Sequence, residues 1–236
     1  MITWNNVTSD SLGIFVEAAP FYVKPKRKVD VYSVPGRSGD IIRPQDAWDN
    51  VDQDYEIFAG DGSEHAVPGA FSSVAAWLYG PSGYQRLEDD FDPDHFRLAH
   101  FVGPVDIDNI MTRVGRAKIT FNCKPQRFLK SGEKKITFTS NDEIRNNTLF
   151  PAKPLILIYG NGTAGIGQKT IEVKGNTYPY VEVDCETMDA FYGATNCNSM
   201  ISLTSGDFPV LNPGDNGITL GKGIPKIELI PRWWIV

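Results

Sequence analysis

The stretch "LILIYGNGTAGIGQKT", Leu155 to Thr170, admits two readings that lead to different fold classes. Gly160-x-Gly162-x-x-Gly165 behind an apolar run copies a dinucleotide-binding turn, and Gly162, Gly167 and Lys169-Thr170 come within one residue of a phosphate loop. Both motifs require a helix to begin at once, because its unpaired N–H groups receive the phosphates. Here Thr170, Ile171 and Val173 follow instead, residues that disfavour helix and suit strand, and Gln168 separates the glycine from the lysine. The stretch is therefore expected to form a glycine-rich β-hairpin.

Outward from it, period-two alternation dominates. In "KITFNC" Ile119, Phe121 and Cys123 fall on one face and Lys118, Thr120 and Asn122 on the other, as a half-buried strand requires. Val29 to Val34, Tyr55 to Ala59, Arg97 to Val102 and Tyr180 to Cys185 read as strands in the same way, with Gly, Pro, Asn and Asp between the runs. One segment departs from the pattern. In "PGAFSSVAAWLYGP" Phe71, Val74, Ala75 and Leu78 recur at helical spacing between Pro68 and Gly80-Pro81, which predicts a short amphipathic helix widened by Trp77. The fold class is mainly β, with one short helix.

At 236 residues the chain suits one large or two medium domains. A basic, glycine-containing segment at "KPQRFLKSGEKK" suggests the boundary, giving domains 1–130 and 131–236. The second has the denser turn signals of a β-sandwich or jelly roll, and its last strand is expected to pack back on the first domain.

Composition excludes several classes. A net charge of −6 argues against a general polyanion binder, which needs clustered Lys and Arg. The first residues, "MITWNNVTSD", carry no secretory pattern, and no uncharged apolar run reaches membrane-spanning length. Three scattered cysteines, Cys123, Cys185 and Cys197, suit reduced core thiols from a cytoplasm better than a disulfide framework. In "DDFDPDHF" Asp90, Asp92 and Asp94 start a calcium-loop pattern, but His95 stands where glycine is needed and Phe101 where the bidentate glutamate is needed, so an acidic turn is expected. With only three histidines and no nucleophile elbow, no catalytic, cofactor-binding or metal-binding residues are assigned.

Eight pieces in order then resemble one family. They are "VPGRSGDI", "DNVDQDYEI", "WLYGPSGYQRL" and "ITFNCKPQRF" in the first half, and "NNTLFPAKPLILIYGNG", "VEVDCETMDAFY", "GDFPVLNPGDNGI" and "IELIPRWWIV" in the second. The chain resembles the distal tail (Dit) proteins of long-tailed, non-contractile bacteriophages. The resemblance implies an N-terminal β-sandwich or split-barrel-like domain that assembles into a ring, typically of six subunits, and a C-terminal galectin-like β-sandwich. It implies a location at the virion tail tip after synthesis in the host cytoplasm. The implied partners are the tail tube protein, a tail-associated lysozyme or fibre protein and peripheral receptor-binding proteins, with DNA passing through the lumen unbound.

The candidate assembly interface is Gly36, Arg37, Ser38 and Gly39 in "SVPGRSGD", between the arms of an expected hairpin, together with Trp77, for which packing inside the subunit is the first reading. The alternative function is a two-domain carbohydrate-binding module in host adhesion. Residues 131–236 hold no histidine and no convincing set of sugar ligands around a stacking Trp.

Overall fold

The computed structural model describes residues 1–236 apart from 60–65, 104–106, 112–113 and 205, and the side chains of 59, 66–72, 107–111 and 114–115 are likewise outside the description. The chain divides into two compact units, Met1–Arg127 with Val236, and Phe128–Ile235.

The first unit is built on a sheet ordered Val7–Thr8, Ile2–Trp4, Gln85–Asp89, His95–Phe101, Val114–Leu129, Val51–Ala59 and Ile14–Val16. Its longest strand, Val114–Leu129, contains "KITFNC", and the alternation read from sequence places Ile119, Phe121 and Cys123 fully inside. Phe121 is the hub of that core, with ring centroids 4.8 Å from Trp4, 6.1 Å from Tyr55 and 5.8 Å from Phe101. The helix Ala66–Tyr79 lays Val74, Trp77 and Leu78 onto the same core, while Ala75, expected inside, is exposed. A spacing of i, i+3, i+4 explains the change, since Val74, Trp77 and Leu78 share one face without Ala75.

The second unit is a β-sandwich. One sheet runs Ile136–Phe138, Lys226–Ile230, Leu155–Tyr159, Val181–Asp184, Asp189–Tyr192 and Thr195–Asn196; the other runs Asp142–Asn146, Gly214–Leu220, Gly162–Ile166, Lys169–Val173 and Ile201–Leu203. Ile156, Ile158, Val181, Val183, Ile227 and Leu229 of the first sheet meet Ala164, Ile166, Ile171, Val173 and Ile218 of the second in one core. The glycine-rich stretch is a hairpin in the second sheet, with Ile166 paired to Lys169 across Gly167-Gln168. Gly167 has a φ of +59°, the positive value that the first position of such a tight turn demands.

A charged ladder fixes one face of this sandwich. Glu228 accepts from Lys226 at 2.7 Å, Lys135 at 3.0 Å and the Tyr159 hydroxyl at 3.1 Å. The Lys226 ammonium, aided by Lys135 and Tyr159 against the opposing effect of burial, pulls the Glu228 carboxyl down to about 2. A lowered carboxyl pKa stabilises the fold fully above its unfolded value, near 4.5, and that contribution is lost as pH falls toward about 2. Thermal unfolding followed by circular dichroism should therefore show stability falling over that window. Glu228→Gln should lower the midpoint at neutral pH and make the acid limb shallower; an unchanged acid limb would remove the ladder from the stability of this unit.

Candidate assembly surface and a buried polar cavity

Residues 27–48 form a two-stranded antiparallel sheet of their own, Arg27–Tyr32 with Ile41–Trp48. Directly opposed residues of an antiparallel pair share a face. Val31 pairs with Ile42 and Val29 with Pro44, so one face is an apolar stripe; Asp30 with Arg43 and Tyr32 with Ile41 make the other. The stripe is open to solvent, Val31 at 56% exposure and Ile42 at 64%. Polar contacts gather at the base: Arg27 pairs with Asp46 at 3.0 Å and lies over Trp48, and Lys28 pairs with Asp49 at 3.7 Å.

The tip is "SVPGRSGD". The Arg37 N–H donates to Val34 O at 3.1 Å, closing a turn with Pro35 and Gly36 at its centre. Gly36 has a φ of +79°, the value required at the third position of a type II turn, and Pro35 presets the second. No helix follows the loop, and Gly36, Arg37, Ser38 and Gly39 all stand exposed. Trp77 lies elsewhere, in the first core, donating its indole N–H to Trp4 O at 3.2 Å.

Into the hairpin leads an extended strap, residues 17–26, whose Phe21 is 93% exposed. Gln53 Nε2 anchors the strap by donating to Phe21 O at 3.1 Å, and Tyr22 turns inward to donate to Asp89 at 2.6 Å. Tyr22 opens onto a cavity also walled by Tyr55, Asp89, Asp92, His95 and Arg97. Asp89 takes four donors: the hydroxyls of Tyr22 and Tyr55 and the N–H groups of Phe91 and Asp92. Asp92 contacts His95 Nδ1 at 2.7 Å and receives a two-pronged bond from Arg127. Although burial opposes it, Arg127 and His95 hold the Asp92 carboxyl below its usual range.

Burial and the Asp89 carboxylate push both tyrosine hydroxyls upward, which keeps them protonated as donors. Burial drives Cys123, beneath this cluster, up to about 12, the behaviour of an inert core thiol. The aspartates of "DDFDPDHF" form the expected turn, with Asp92 N–H donating to Asp89 O and His95 N–H to Asp92 O. No group of acids, cysteines and histidines suited to a metal ion occurs among the described residues.

Sequence reasoning missed the strap and the cavity. Phe21 sits in "AAPFYVKP", which has no periodicity to interpret, and Arg97 lies in an alternation whose inward face the sequence left undetermined.

The architecture has a close counterpart. A crystal structure of the SPP1 Dit (gp 19.1) protein, described as a paradigm of the hub adsorption apparatus in phages infecting Gram-positive bacteria, superposes with a TM-score of 0.77 at 11% identity over 100% of this chain and 98% of that one. The chain has the fold of the SPP1 Dit protein. The phage P2 baseplate in its activated conformation with Ca gives a TM-score of 0.47 at 10% identity, covering 92% of this chain and 90% of that one. No family model and no curated protein matches the sequence. At this identity the Dit likeness rests on backbone architecture, which extends through both units.

The turn geometry makes a direct prediction. Gly36→Val forces a β-branched residue to a positive φ at a cost of about 1–3 kcal/mol. Because the hairpin lies outside the main sheet, cross-strand nuclear Overhauser contacts between Val31 and Ile42 should weaken while the thermal midpoint of the unit stays within a few degrees of wild type. Intact contacts would show that the turn does not set the hairpin.

Proposed function

We propose that the protein is a non-catalytic structural component of a phage tail tip, assembling through its first unit into a ring, most simply of six copies, between the tail tube and the tail-associated or adhesion proteins. The Dit fold over the whole chain carries this reading. The free-standing hairpin supports it physically. A two-stranded hairpin alone is marginally stable in water and gains from a third layer. Fully burying a Val or Ile is worth about 1.5–3 kcal/mol, and Val31 and Ile42 have roughly half of that still to gain.

Ring closure needs one patch on each subunit to meet a different patch on the next. The hairpin, with its apolar stripe and with Arg37 projecting from the tip, supplies one such patch. Asp89 and Asp92 of the polar cavity also suit an architectural role, each accepting from a residue of another element, Tyr55 and Arg127. In the second unit Asp184 does the same for Arg232, at 2.7 and 2.9 Å.

Light scattering and electron microscopy, on the protein alone and mixed with its tail-tube and tail-associated partners, test the reading. Wild type should reach the mass of a ring in at least one of these mixtures. Ile42→Asp should weaken assembly at least tenfold, about 1.4 kcal/mol, and Arg37→Glu should also weaken it, with both variants folded as monomers. A monomer under every condition would overturn the proposal; full assembly of both variants would move the interface away from the hairpin.

A further inference from the structure

We infer that the surface receiving the hairpin is the open sheet edge at Ile14–Val16 of a second copy, to which Arg27–Tyr32 adds as a further strand. The inference rests on the ring reading and names the patch that reading leaves open. Ile14–Val16 pairs with Val51–Ala59 on one side, and among the described residues no strand lies on its other side. An exposed edge presents unpaired backbone groups, and folded proteins guard such edges with charge, proline or a bulge. This one reads Ile-Phe-Val and carries none of these. The opposite end of the sheet, Val7–Thr8, is only two residues long and offers less to pair with.

The two edges of the hairpin differ. Ile41–Trp48 contains Pro44, which lacks an N–H, and Asp46 at a φ of +51°, so its outer edge is interrupted. Every residue of Arg27–Tyr32 keeps an N–H, which makes it the edge suited to addition. The side chains match as well. Phe15 lies directly opposite Phe58 with ring centroids 5.3 Å apart, and it is 39% exposed. A strand added beside Ile14–Val16 brings Val31, with Ile42 behind it, into line with these rings, so the apolar stripe of the hairpin continues the row across the sheet.

Charge runs the same way. Residues 27–48 hold four cations and three anions, whereas the outward charged positions of the receiving strands, Glu17, Asp52, Asp54 and Glu56, are all acidic. Among the described residues two of these acids have ion pairs, Glu17 with Arg116 at 2.6 Å and Asp54 with Lys118 at 2.7 Å. The patches also stand apart on one copy. The hairpin feeds into Val51, and Phe58 lies seven residues further along the same strand, about 23 Å away. A ring contact between unlike patches requires such a separation.

Cross-linking and substitution test the edge. Cys123, Cys185 and Cys197 are buried, so introduced thiols report on the surface. Copies carrying Val31→Cys, mixed with copies carrying Phe15→Cys under assembling conditions, should be joined by a short bis-maleimide at least tenfold faster than with copies carrying Val7→Cys. Phe15→Asp should weaken assembly at least tenfold while Val7→Asp leaves it unchanged, both folded by circular dichroism; where the cysteine copies fail to assemble, this pair decides. An assembled ring without the Phe15 link, equal linking at Val7, or full assembly of Phe15→Asp would overturn the edge and leave the ring standing. A wild type that stays monomeric under every condition would overturn both.

Discussion

Phe121 organises the first unit. Its ring meets Trp4 from the N-terminal strand, Tyr55 from the neighbouring strand and Phe101 from the strand on the other side. The alternation of Val114–Leu129 aims it inward, and Ile119 and Cys123 extend the same buried row. Through Tyr55 this core reaches Asp89, and through Asp89 it reaches Tyr22 and the strap. The strap is therefore tied to the core through Tyr22 and leads into the exposed hairpin.

That arrangement explains the division of labour in the chain. The apolar core side chains pack against one another, whereas Phe21, Val31 and Ile42 stay open although each would gain from burial. In an enzyme the polar cavity would be the natural place for chemistry. Here Asp89 and Asp92 accept from tyrosine, histidine and arginine donors, and burial pushes the thiol of Cys123, in the neighbouring core, up to about 12. The open apolar side chains lie on the strap, at Phe21, and on the hairpin, at Val31 and Ile42, which suits a contact with another protein.

Much of the fold was legible in the sequence where side-chain period and turn chemistry agree. "KITFNC" alternates cleanly, and Gly167 offers the positive φ that a two-residue turn needs, so the glycine-rich decoy resolves as a hairpin. "SVPGRSGD" was likewise readable, because Pro35-Gly36 dictates its own turn. Arg97 was not, since "HFRLAHF" offers apolar residues on both faces of its strand. The sheet turns Arg97 and Ala99 inward and leaves Phe96 and Leu98 half-buried. Trp77 shows the same limit from the helical side: its apolar character was plain, but only the packing of Val74 and Leu78 beside it assigns its ring to the subunit's own core.

Covering the hairpin by a neighbouring copy is the central physical claim, and amide hydrogen exchange tests it most directly. Exchange at Val29 to Arg43 would be compared between the dissociated and the assembled protein. Cross-strand bonds in a lone hairpin open easily, so these amides should exchange rapidly in the monomer and become protected by at least tenfold on assembly. Equal exchange in an assembled ring would contradict the account and place the subunit contact elsewhere on the first unit.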